Sequence, residues 1–203
     1  MENMTETTEQ KTTATADLKG SDLLMAELKA QVPIYAGDVA KDVMKSAAER
    51  GASAVGEAGL KTLALDTPLG DKLDAAMLDE LYQGHCEMMP RAELANMAFA
   101  QRLRDATLAD AVLSAIKNSQ STILLAGNEH VRKDRGVPWY IAKRDPKVAT
   151  LSIMQIEVED GKTDADAYVP KDPDGRPAVD YVIFTPRAAA RSSARCSCTP
   201  GMK

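Results

Sequence analysis

An α/β fold with a mainly parallel central sheet and flanking helices is predicted by three observations. Short apolar runs at Val32–Ala36, Thr122–Ala126, Val148–Val158 and Tyr181–Thr185 read as strands. Longer segments with helical periodicity, above all Arg91–Asn118, lie between them. Strands alternating with helices point to a layered α/β arrangement with a largely parallel sheet. At 203 residues the chain suits one such domain with tails. Its 44% hydrophobic and 4% aromatic content leaves Ala, Leu, Val, Ile and Met to build the core.

Residues 1–20 are rich in Thr and Glu, have no aromatic residue and are expected to be a disordered lead. The domain is expected over residues 21–187, and a flexible tail over 188–203. Leu23–Ala30 reads as the last turns of a helix, and Val32–Ala36 as a strand ended by Gly37-Asp38. Asp38 is placed to cap a helix to Arg50, because its carboxylate accepts free first-turn amides. Gly51 fits the stop. Ser53–Leu65 has weak periodicity, Asp66–Gly70 is a turn, and Lys72–Leu81 repeats Leu73, Met77 and Leu81 at helical steps. Tyr82–Pro90 reads as a loop. The broad apolar face of Arg91–Asn118 implies burial against a sheet. Pro138–Lys143 is a short helix or turn, and Glu159–Val179 a loose excursion before the last strand.

A net charge of −5 argues against a nucleic-acid binder, which carries a basic face. No run reaches the roughly 20 apolar residues that span a bilayer. The first 17 residues have neither the basic nor the apolar part of a signal peptide. Three cysteines cannot all pair within one chain. Cys196 and Cys198 form a C-x-C pair in a Ser/Arg-rich tail and read as solvent-exposed rather than as a zinc site.

Four constellations carry chemistry. GNEHVRKDRG (127–136) follows an apolar run and holds His130, one of two histidines, with Glu129, Arg132, Lys133 and Arg135. Ligands of open α/β sheets bind where strands hand over to loops. YQGHCEMMP (82–90) gathers Tyr82, His85, Cys86, Met88 and Met89, all residue types that ligate haem iron. Gln101 and Asp105 are i, i+4 neighbours beside Arg102 and Arg104, a pattern read as an intrahelical polar network. Tyr181–Arg187 sets a cation at a strand end. No G-x-S-x-G elbow and no glycine-rich phosphate loop occurs.

In chain order, HCEMMP, AQRLRDATLADAV, ILLAGNEHVRKDRGVPWYI and DYVIFTPRA resemble the ChaN-like family of haem-binding lipoproteins. That family is related in fold to the erythromycin-esterase and Tiki groups. The likeness runs from about Ala30 to Arg187 and is most specific at GNEHVR–GVP, with Glu129 where a glycine is usual. The resemblance implies haem as cofactor, a homodimer that holds haems face to face, iron held by a tyrosine, and a lipid-anchored role in iron acquisition at the bacterial envelope. The family's opening strand–helix unit and lipoprotein signal have no counterpart in the lead, so the chain is expected to lack its N-terminal unit and, with it, the anchor. Tyr82 or Tyr140 is the candidate iron ligand. His85 and His130 are candidates for ligand or hydrogen-bond partner, Met88 and Met89 for porphyrin contacts, and Arg132 and Arg135 for the propionates. The alternative is a hydrolase akin to erythromycin esterase, using His130 and Glu129 or a metal.

Overall fold

A computed structural model describes residues 25–26, 29–119 and 121–187. Residues 37–187 belong to one unit and the described residues up to 36 to another. The larger unit holds α1 (Lys41–Arg50), α2 (Gly56–Thr62), α3 (Asp71–Gly84), α4 (Arg91–Ile116), α5 (Val137–Arg144), β1 (Ile153–Glu157) and β2 (Tyr181–Thr185). Three short 3-10 turns join them at Gly51–Ala54, Asn128–Val131 and Ala165–Tyr168.

α4 is the axis of the unit. Its 26 residues extend about 39 Å at the usual rise per residue. Leu94, Leu103, Leu108 and Val112 are buried along it. Alanines at 100, 106, 109 and 115 are buried between them, and small side chains let neighbouring helices come close. α1, α3 and α5 pack on this helix. Ala47, Leu65, Val137, Tyr140 and Ile141 close the core around it. The broad apolar face read in the sequence is therefore buried mainly by helices rather than by a sheet.

β1 and β2 pair in parallel, with Ile153 opposite Tyr181 and Glu157 opposite Thr185. The parallel pairing agrees with the predicted α/β class. The excursion between the two strands carries the Ala165–Tyr168 turn and an antiparallel bridge, Lys171 to Pro177. The predicted strand at 148–158 is shorter than its apolar pattern, because residues 148–152 carry no ladder and pairing with β2 begins at Ile153. Two expected strands are not strands: residues 32–36 and 122–126 carry no ladder. In the second run Leu124 packs on the core, while Ile123 is 86% exposed and Leu125 lies in solvent. The apolar run thus reports one inward residue rather than a strand enclosed on both faces.

Asp38 does not cap α1. Its Oδ1 accepts from the Val39 amide at 2.8 Å and from Arg104 Nε at 3.0 Å, and Ala40 takes the cap position. Gly51 does end α1, in the left-handed region at φ 58°. The expected disordered lead, half of the helix expected at 23–30, and the tail with Cys196 and Cys198 lie outside the described residues. No described helix is long and apolar enough to cross a membrane.

Candidate functional site

The residues flagged around His130 assemble at the junction of α3, α4 and the 127–136 loop. His130 sits in the Asn128–Val131 turn, and its amide donates to Gly127 O at 3.0 Å. Asn128 Nδ2 ties this turn to β1 by donating to Gln155 O at 2.8 Å. Ser152 Oγ bonds Val131 O, and Lys133 N donates to Ala178 O at 2.7 Å. Lys133 Nζ also pairs with Asp180, whose other carboxylate oxygen accepts from the Ser152 amide. The lysine and that amide hold the Asp180 carboxyl below its ordinary range. The loop then returns so tightly that a Cβ at Gly136 would lie 2.5 Å from His130 O and 2.7 Å from Arg132 O. Close approach, not a positive φ, demands glycine there.

A cavity of about 320 Å³ opens beside this loop. Met77, Leu81, Gly84 and His85 of the α3 end form one wall. Gln101 and Asp105 of α4, with Glu129 and Arg135 of the loop, form the polar wall, and Glu80 joins them from α3. Asp105 is 2% exposed, and its Oδ1 lies 2.6 Å from His130 Nδ1. Gln101 Nε2 lies 3.3 Å from the same nitrogen. The Gln101/Asp105 pair is therefore not the self-contained helix network expected; both side chains converge on the imidazole. Burial raises the Asp105 carboxyl to about 6, against the opposing pull of His130, Arg135 and Arg104. Arg135, buried, donates from Nη2 to Glu129 Oε2 at 2.7 Å and to Glu80. These two carboxylates outweigh its desolvation and raise its pKa further.

The other flagged residues divide. Arg132 is buried and doubly bonded to Asp134, with a further bond to Lys171 O at 3.0 Å. Tyr140 is fully buried in the core, and its hydroxyl accepts from Arg102 Nε at 2.9 Å. Burial pushes that phenol up to about 12. Tyr82, by contrast, is half-buried near the end of α3, which runs three residues into the segment read as a loop. Met77 and Leu81, four residues apart on one helix face, both line the cavity. The chain leaves α3 through Cys86 and Glu87, both left-handed at φ 55° and 59°. Cys86 is disulfide-bonded, so its sulfur is not offered as a ligand. Met88 is 78% exposed and Met89 is half-buried.

Sequence reasoning missed Arg91 and Glu80. The Arg91 guanidinium stacks 4.7 Å from the centre of the Tyr82 ring and pairs with Asp79 at 2.8 Å. Arg91 opens a helix immediately after Pro90, but a helix-start position gives no hint of which ring the side chain covers. Glu80 shows only an exposed helical position in the sequence. Among the described residues, no three His, Cys, Asp or Glu side chains converge as a metal site.

Two strips of side chains carry donor chemistry, and His85 of the first lines the cavity. One is a soft rim at the α3 end, made of Tyr82, His85, Met88 and Met89. The other is the polar wall of the cavity, Asp105, Gln101 and Arg135, with the half-buried His130 bonded to Asp105. A family model described as haem-binding uptake, Tiki superfamily, ChaN matches residues 21–141. The matched span contains both strips and ends before β1 and β2. No curated protein and no solved structure matches the chain.

Proposed function

The chain belongs to the ChaN family of haem-binding uptake proteins in the Tiki superfamily, and from that premise we propose that it binds haem at the α3 rim and serves in haem or iron handling. The observation that carries this reading is the rim itself. A half-buried phenol, an imidazole lining a cavity and an exposed methionine lie within seven residues, from Tyr82 to Met88. A methionine 78% exposed, three residues after the cavity-lining His85, suits a flat apolar ligand that would cover it.

The donor chemistry fits the group. Tyrosine, histidine and methionine are all known to hold haem iron, and Met77 and Leu81 supply apolar contact. Tyr82 is the proposed iron ligand, because Tyr140 is enclosed in the core with its oxygen already bonded to Arg102. The Arg91 guanidinium over the Tyr82 ring fixes the plane in which that ring lies. His85 is a second donor at the rim. Arg91, exposed and paired with Asp79, is the cation proposed to meet a propionate. Arg132 and Arg135 are each already held by carboxylates, so their part is to fix the loop that frames the cavity. A haem bound here would supply the iron centre; the protein would supply its ligand, its orientation and its charge balance.

A homodimer across the same exposed surface belongs to the proposal, since the methionines leave one face of a flat ligand for a partner to cover. The test is a haemin titration followed at the Soret band. Wild type should saturate, Tyr82→Phe should bind at least tenfold more weakly, and Tyr140→Phe should follow wild type. A Tyr82→Phe curve identical to wild type would remove the ligand assignment.

A further inference from the structure

Asp105 is a buried carboxylate on the central helix that iron ligation at the rim does not use. Its Oδ1 meets His130 Nδ1 at 2.6 Å, across a 25-residue separation in sequence. The short contact joins α4 to the 127–136 loop, and the residue itself lines the cavity. An ionised carboxylate only accepts hydrogen bonds, so the imidazole must donate from Nδ1. A neutral imidazole carries one ring proton, and placing it on Nδ1 leaves Nε2 with a lone pair. Gln101 lies near the same nitrogen but at 3.3 Å, the longer of the two contacts. An N–H aimed at a charged acceptor is about twice as strong as a neutral one, so the carboxylate decides the tautomer. Leaving either buried partner unmatched would carry a desolvation cost, which makes the arrangement self-reinforcing.

We propose that Asp105 is the positioning residue of this cavity: it fixes the ring and the tautomer of His130, so that the imidazole offers an unprotonated Nε2 as acceptor to the ligand. The ligand part rests on the haem reading above; the tautomer part does not. Glu129, the acid next to His130 in sequence, is engaged by Arg135 and does not take this role.

The experiment is side-chain 15N NMR of the full-length protein at pH 8, without haemin. With only two histidines in the chain, a His85→Gln variant leaves His130 as the one imidazole and assigns its signals. Wild type should show the proton on Nδ1 and a bare Nε2. Asp105→Asn should exchange the pattern, because an amide can donate to Nδ1; the same exchange inverts the histidine of hydrolase triads. In a parallel haemin titration Asp105→Asn should weaken binding by about tenfold to a hundredfold, the range for groups behind a ligand shell. A wild-type His130 protonated on Nε2 overturns the proposal, and that spectrum requires no variant at Asp105 to fold. So does an Asp105→Asn protein whose ring pattern is unchanged. Exchange of the tautomer in a protein that never binds haemin would sink the haem reading and leave the positioning role standing.

Discussion

Asp105 dominates the electrostatics of the site, and its behaviour with pH follows from burial. Its carboxyl titrates at about 6 in the fold against an ordinary 3.8. The folded state thus holds this proton more tightly than the unfolded chain. The corresponding stability is fully present below about pH 4 and is lost as pH rises through 6. The groups facing it are His130, Arg135 and Arg104, all of which oppose the shift. The loss reaches at most about 3 kcal/mol, since each pKa unit corresponds to about 1.4. Denaturation of wild type and Asp105→Asn at pH 4 and pH 7 isolates this group, and wild type should lose more stability on going to pH 7. Parallel losses would show that burial does not govern this carboxyl. Tyr140 gives a second case. Its fully buried hydroxyl accepts from Arg102, so Tyr140→Phe should cost about 1–2 kcal/mol in a urea titration. His130, Gln101 and Asp105 were all conspicuous in the sequence, but their meeting was not. Helical spacing put the last two on one face; only the fold brought a loop residue 25 positions away to that face.

At the scale of elements, α4 was legible almost to its ends, because apolar residues repeat through 26 positions without a breaker. α3 was read three residues short, since Gly84 and the polar residues around it resemble a connector. The two runs misread as strands show why short apolar segments mislead: a strand needs a neighbour for its backbone, and composition says nothing of the neighbour. Asp38 was misread for a related reason. A cap depends on where the helix starts, and Arg104 of α4 competes for the same carboxylate. The 127–136 loop, in contrast, carries a glycine that geometry requires. Gly136→Ala would push a methyl against two backbone oxygens that cannot swing aside. The variant should lose roughly 2–4 kcal/mol in a chemical melt and broaden the His130 ring signals, because the clash falls on His130's own carbonyl. A variant as stable as wild type would mean the loop relaxes freely.

At the scale of the molecule, motif order along the chain identified the family more securely than any single element did. The matched span of 21–141 covers the segments that carried the resemblance, apart from the last strand. What composition did not reveal is the apolar surface left on the sheet. The register sets Ile153, Tyr181 and Ile183 on one side, and all three are exposed. Exposed apolar patches of this kind mark association surfaces or aggregation risks. Ile183→Lys should therefore lower concentration-dependent association in light scattering while leaving haemin binding intact, because β2 lies apart from the cavity-lining residues. The most direct test of the account as a whole is the absorption spectrum of wild-type protein mixed with one equivalent of haemin at neutral pH. The account predicts a Soret band shifted and sharpened relative to free haemin, saturating at a fixed ratio and lost on replacing Tyr82. A spectrum that is the sum of protein and free haemin would contradict it.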